Sequence, residues 1–327
     1  MNKIVFPRQG YDGIWRSQFK IENWFLKEVK SIIDKKLKNL HKKVSDPVEK
    51  TIVKSLQSDL GDILLSRPAD LKVLKDKYLS KYSSQFASRA KGSFNKRVLA
   101  AFNYTVFRTT VLPTLARYLN IKTCPYCNSQ YTLYLDVRKL ATYPKGVCEF
   151  QFDHFFGQGD APFLSMSLYN LIPSCASCNL LKKDVDLPLE LNPYVNDIQS
   201  MFRFRLKYPY MIWTGVKMYD SMEVVMKPTK KAYASFVQCL DNKLLLSRHY
   251  GRHWDVAQDV FEKAYTYPYY ARLSNFNHML THLNEEKFKR LWLGTNTRPE
   301  EIEKRPLTKF EQDMWEQAEE IMASMAP

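Results

Sequence analysis

Four of the six cysteines stand in two pairs, Cys124-Pro-Tyr-Cys127 and Cys175-Ala-Ser-Cys178, with residues 128–174 between them. Two such pairs can supply four thiolates at about 2.3 Å around one tetrahedral Zn²⁺. A closed four-sulfur site leaves no position for substrate, so the zinc expected here is structural and pins a long insertion at its two ends. Thr123-Cys124-Pro125-Tyr126-Cys127 also has the form of a glutaredoxin-like redox motif, in which the first thiolate attacks disulfides. That motif normally follows the first strand of a thioredoxin-type sheet near an N-terminus. Here residues 1–122 precede it, and redox chemistry leaves Cys175 and Cys178 unexplained. Cys148, on a strand face with Phe150 and Phe152, and Cys239, in a helical stretch, are expected to be small buried hydrophobes.

Between the pairs lies Asp153-His154, at the end of a β-rich segment. On a strand, adjacent side chains diverge, so these two can address two sides of one scissile phosphate. Asn170-Leu171-Ile172-Pro173 leads into the second cysteine pair, Asn179 follows Cys178, and Lys182 and Lys183 come one helical turn later. Phosphodiester hydrolysis has a very high uncatalysed barrier. It needs a base to activate water and a hard cation to stabilise the pentacovalent phosphate and the leaving oxygen. A neutral imidazole is available near pH 7, so His154 suits the base. Asp153 and the Asn179 amide oxygen are hard donors suited to Mg²⁺ or Mn²⁺. Lys182 or Lys183 is expected to steer the phosphate backbone. The remaining histidines, His41, His249, His253, His278 and His282, lack such neighbours and read as packing residues.

Cys124-x-x-Cys127, Asp153-His154, Asn170-Leu171-Ile172-Pro173 and Cys175-x-x-Cys178-Asn179-x-x-Lys182 together resemble the zinc-bearing HNH endonuclease motif of the ββα-metal superfamily. The resemblance covers residues 124–183, and the comparison extends toward the Leu191-Asn192-Pro193-Tyr194 segment with the strands after it. It implies that His154 is the general base, that Asp153 and Asn179 bind the catalytic divalent ion, and that Asn170 braces the loop and the base. Asn179 stands where the eponymous motif has histidine, giving an HNN form like the Asp-His…Asn…Asn set of guide-RNA-directed nucleases. That change favours harder ions. The run from Tyr169 to Cys175, with Leu191-Asn192-Pro193-Tyr194, also looks like HNH nucleases of bacterial anti-phage systems. Among these, the Septu type pairs its nuclease with an ATPase subunit. By that likeness the helical flanks are partner-docking as well as nucleic-acid surfaces.

The elements that must hold these residues can be read from periodicity. Phe25, Val29, Ile32, Ile33, Leu37 and Leu40 recur at helical spacing with Lys between them. Asp46-Pro47-Val48-Glu49 is a capping box before a helix carrying Val48, Ile52, Leu56 and Leu60, and Arg67-Pro68 marks a break. Residues 95–119 read as a helix kinked at Pro113. Residues 130–136 and 146–152 are strand-like, with Tyr143-Pro144-Lys145-Gly146 as the turn. Residues 174–184 form a short helix, FRFRL and MEVVM within 202–227 are strands, and the chain is helical again from 229. Thr297 with Glu300 and Thr308 with Glu311 are further capping-box candidates. The fold class expected is α+β and mostly helical: a basic helical domain over 1–123, a ββα nuclease centre with a structural zinc and added strands over 124–228, and a helical C-terminal region over 229–327.

Composition closes off other classes. Hydrophobic residues at 45% and charged residues at 25% permit a packed core, and 10 glycines exclude collagen-like and linker chains. No run of 18 uncharged apolar residues is present, and the N-terminus lacks an apolar signal region, so a cytoplasmic protein with reduced thiols is expected. The net charge of +15 lies entirely in residues 1–123, which hold 25 Lys+Arg against 10 Asp+Glu; residues 124–327 hold 24 of each. A basic surface of this kind attracts polyanions, commonly nucleic acid, although an acidic protein or a solvated Lys-rich face gives the same count. Tyr208, Tyr210 and Trp213 can stack bases but are read as strand-packing residues. DNA hydrolysis is the leading expectation. The alternative is a non-catalytic, zinc-stabilised nucleic-acid-binding or adaptor module, which has no use for a base and two oxygen donors at one focus.

Overall fold

The computed structural model describes residues 3–137, 145–212, 222–272 and 285–325. Tyr143, Pro144, Trp213, His278 and His282, each given a role above, lie outside the described residues. The chain is mostly helical with small two-stranded sheets. No described helix is long and apolar enough to cross a membrane. Contacts group the chain into two compact units, one of residues 3–121 with 132–196, the other of residues 1–2, 122–131 and 197–327. The expected divisions at 123/124 and 228/229 follow sequence texture, whereas the contacts place residues 132–196, which include the second cysteine pair, with the N-terminal helices.

The first unit opens with a hairpin of β1 (Arg8–Gln9) and β2 (Trp15–Arg16), followed by α1 (Gln18–Lys43), α2 (Pro47–Ser58), α3 (Leu60–Leu65) and α4 (Pro68–Ala87). Helix α1 buries Ile21, Phe25, Val29, Ile33, Leu37 and Leu40 along one stripe, each contributing about 1.5–3 kcal/mol by leaving water. Ile32, one residue off the stripe, is exposed. Asp46 caps α2 by accepting from the Glu49 amide at 2.9 Å, with Pro47 in the first turn. The helix expected to run on to Leu60 stops at Ser58, and Asp59 separates it from α3.

The stretch read as one kinked helix is three: α5 (Phe94–Phe102), α6 (Tyr104–Thr110) and α7 (Leu112–Leu119). Asn103 takes a left-handed conformation (φ 60°) that asparagine tolerates better than most residues, and this ends α5. Pro113 sits in the first turn of α7, where no amide is needed, so it starts a helix rather than kinking one. Short strands β3 (Tyr134–Leu135) and β4 (Val147–Cys148) pair antiparallel, so the two expected strands keep only brief pairing. Strand β5 (Gln151–His154) then pairs antiparallel with β6 (Leu171–Ser174), placing Asp153 opposite Ile172 and His154 opposite Leu171. Helix α8 (Ala176–Lys182) follows and packs on β5.

In the second unit, β7 (Phe202–Leu206) pairs with β8 (Val224–Pro228). Around them are α9 (Ala234–Leu244), α10 (Leu246–Tyr250), α11 (Trp254–Arg272), α12 (Glu285–Leu293) and α13 (Thr308–Met325). Asp313 of α13 accepts from the Phe204 amide at 2.8 Å, and Gln317 bridges the Leu206 amide and carbonyl, fixing the helix along β7. Neither C-terminal capping box forms. Thr308 is already inside α13 with its hydroxyl on Thr295, and residues Pro299–Lys304 make a 3₁₀ turn preceded by Arg298. Tyr208 and Tyr210 are more than half exposed, so the strand-packing role expected of them is corrected: both follow the last residue of β7 and point to solvent.

Candidate active site and cysteine cluster

The Sγ atoms of Cys124, Cys127, Cys175 and Cys178 lie within 4.8 Å of one another, and all four residues are buried. Ligands at about 2.3 Å from a tetrahedral centre sit about 3.8 Å apart, inside that limit. Backbone amides are directed at two of the sulfurs. Ser129 N donates to Cys127 Sγ at 3.4 Å and Cys178 N to Cys175 Sγ at 3.4 Å, with the Ser129 hydroxyl also on Cys127 Sγ at 3.1 Å. Four soft donors with amides supporting the sulfurs fit a metal ion such as zinc.

The turn carrying the first pair is fixed by Asn128. It is fully buried, left-handed (φ 55°), and its amide nitrogen donates to Thr123 Oγ1 at 3.0 Å and the Ile302 carbonyl at 2.7 Å. Gln199 donates to the carbonyls of Pro125 and Tyr126, and the Tyr250 hydroxyl to that of Cys127. His249 and His253 pack by ring contact on each other and on Tyr250, as the packing reading expected.

His154 closes β5 and is 7% exposed. Its Nε2 lies 3.0 Å from the Ser165 carbonyl oxygen. A carbonyl can only accept, so the ring proton is assigned to Nε2 and the lone pair to Nδ1. Burial holds the imidazole's pKa well below its ordinary value, at about 4, so the ring is neutral at pH 7. The Tyr104 ring stands edge-on to it, with centroids 4.6 Å apart, and the Tyr104 hydroxyl donates to the Phe152 carbonyl.

The Ser165 carbonyl is held in place by Asn170. This fully buried side chain donates to the carbonyls of Phe156 at 3.1 Å and Leu164 at 3.0 Å, and accepts from the Phe156 amide at 2.7 Å. It thus ties both ends of the 155–170 loop that carries the histidine's partner. Tyr194, from the 191–194 segment, donates to the Leu171 carbonyl behind β6.

Asp153, His154 and Asn179 all line one cleft of about 1070 Å³ within the first unit, together with Tyr104, Arg108 and Lys183. The amide nitrogen of Asn179 donates to Gln151 Oε1, and Gln151 lies two residues from Asp153 on the same strand face. That leaves the Asn179 amide oxygen as the donor atom outside this bond. Asp153 is buried, with Lys182 Nζ at 3.3 Å from each carboxylate oxygen. Lys182 corrects one expectation: it is fully buried and also donates to the His154 carbonyl at 2.7 Å, so it braces the Asp153-His154 backbone instead of meeting a phosphate. Lys183, one residue later and past the end of α8, is exposed at the cleft. Cys148 is partly buried and lines the same cleft, its thiol pushed up to about 12 by burial and therefore unreactive as a nucleophile at neutral pH.

Sequence reasoning missed Ser165, Tyr104, Arg108 and Gln151. Ser165 acts through a backbone carbonyl, which has no residue signature, and Tyr104 and Arg108 sit 50 and 46 positions before His154. No protein-family model, curated protein or solved structure matches this chain.

Proposed function

We propose that this chain is a metal-dependent HNH-type endonuclease that hydrolyses phosphodiester bonds of nucleic acid, with DNA as the favoured substrate. The observation that carries the reading is the His154 imidazole. It is neutral, its Nε2 proton is assigned to the Ser165 carbonyl with the lone pair on Nδ1, and the residue lines a cleft together with Asp153 and Asn179. In this reading His154 Nδ1 takes a proton from the attacking water as the new P–O bond forms, and the bond to the leaving oxygen then breaks. Asp153 and the Asn179 amide oxygen would hold Mg²⁺ or Mn²⁺, which when bound stabilises charge on the phosphate and leaving oxygen. Lys182 fixes the angle of Asp153, Asn170 fixes the loop that orients the ring, and Lys183 is placed to meet backbone phosphate. The likeness to anti-phage nucleases extends the proposal to a defence role with an ATPase subunit as regulator, for which co-purification from the native host is the check.

The direct test is incubation of the purified chain with supercoiled plasmid. Nicked or linear product is expected with Mg²⁺ or Mn²⁺ and none with EDTA. Intact plasmid under every metal condition would favour the zinc-stabilised binding module instead.

A further inference from the structure

A second hollow, of about 510 Å³, adjoins the cleft and shares Tyr104, Arg108 and Gln158 with it. The two differ in charge. The cleft carries the carboxylates of Asp153 and Asp184, whereas the second hollow is lined by Lys36, Lys96 and Arg108 and by no acidic residue. Three separate helices converge to make it: α1 gives Lys36, α5 gives Lys96, and α6 gives Arg108 and Tyr104. Lys36 Nζ is fixed at the junction by Asn103 Oδ1 at 2.9 Å, a neutral partner that leaves its charge uncompensated.

Several basic side chains elsewhere on this unit are matched internally. Arg97 pairs with Glu49, Lys77 with Asp59, Lys72 with Asp76, Lys75 with Asp186, and Arg89 with Asp160 and Asp184. Among the described residues, Lys36, Lys96 and Arg108 have no carboxylate partner. Unpaired cations gathered in a concave, acid-free surface raise the local concentration of anions far more than the same charges spread over a flat face.

Resting on the nuclease reading, we infer that this hollow seats the phosphates that flank the scissile one. The strand whose phosphorus reaches His154 continues past Tyr104 and Arg108 onto Lys96 and Lys36. Tyr104 stands at the junction, in ring contact with His154 and lining both hollows.

The test is equilibrium binding in EDTA, so that affinity is read without cleavage. Fluorescence anisotropy with a labelled DNA duplex, its single strand and the matching RNA is measured at several salt concentrations for the wild-type chain. The same series is run for the triple variant Lys36→Ala, Lys96→Ala, Arg108→Ala and for the control Lys72→Ala, Lys77→Ala. Each lost phosphate contact flattens the log–log salt slope by about 0.9 on duplex and about 0.7 on single strands. The triple variant is therefore expected to flatten it by about 2 to 3 on whichever probe is bound best, with the control unchanged. Circular dichroism melts show whether the variants are folded, and Lys96→Glu with Arg108→Glu gives a second variant on exposed side chains alone. Equal slopes for wild-type and variant chains, equal flattening by the control, or no binding by the wild-type chain would overturn the inference. A parallel plasmid digestion with Mg²⁺ separates the two claims: wild-type binding that the variant loses, without cleavage by either, upholds the groove and refutes the nuclease.

Discussion

At the scale of single residues, His154 is held neutral by burial and in orientation by the Ser165 carbonyl. Its folded pKa, at about 4, is below the ordinary 6.5, so the unfolded chain binds a proton between these values that the folded chain does not. The neutral buried ring therefore adds stability above about pH 6.5 that is lost as pH falls toward 4. Between pH 7 and pH 5 the wild-type chain should lose about 2 kcal/mol relative to His154→Gln; melting both proteins at the two pH values measures it, and parallel curves would mean a solvated ring. Lys182→Met, which removes the lysine charge from the buried Asp153 carboxylate, should cost about 3 kcal/mol in denaturant titrations. Asp153, His154, Asn170 and Asn179 were all visible in the sequence because their spacing is local. Lys182 and Lys183 could not be told apart there, since each helical step turns a side chain by about 100° and only the packed helix shows which one faces β5.

Elements explain why those residues meet. The β5–β6 register sets Asp153 and His154 against Ile172 and Leu171, and the Asn170 amide closes the intervening loop. Asn170→Ala leaves the Phe156 amide and carbonyl without their side-chain partner in the interior and removes one of the two donors to the Leu164 carbonyl. It should lower unfolding free energy by about 3 kcal/mol and loosen the loop that buries the ring, so that water reaches the imidazole and relieves the burial that depresses its pKa, seen as a rise of the histidine pKa in an NMR titration. Cys175→Ser should abolish stoichiometric zinc in mass spectrometry of the native protein; full zinc in that variant would refute the four-sulfur site. The short helix at 176–182 and the FRFRL strand follow the sequence patterns closely. Residues 95–119 did not, because the apolar periodicity continues across Asn103 and Val111 while the backbone turns there. Hydrophobic spacing records which face is buried, and a single left-handed residue can redirect the axis without disturbing it.

Across the whole molecule, charge is the property most easily read from sequence and most easily misjudged. The count placed all of the net +15 before residue 124. It could not show that Arg97, Lys77 and Lys75 are satisfied by Glu49, Asp59 and Asp186, or that Lys36, Lys96 and Arg108 gather beside the cleft, since those pairings span 18 to 111 positions. The same distance effect hid Tyr104 and Arg108, which reach the site only through the packing of helices. In the proposed reaction, the molecule as a whole must bring an attacking water within reach of both the His154 lone pair and the phosphorus atom. The most direct measurement is single-turnover cleavage of a labelled DNA by wild-type and His154→Ala proteins in Mg²⁺ or Mn²⁺, with zinc content and DNA affinity recorded on the same samples. Loss of a general base costs about 10²–10⁴-fold, so the variant should bind zinc and DNA normally and cut at least a hundredfold more slowly. Cleavage at the wild-type rate by a zinc-loaded, DNA-binding His154→Ala protein would contradict the assignment.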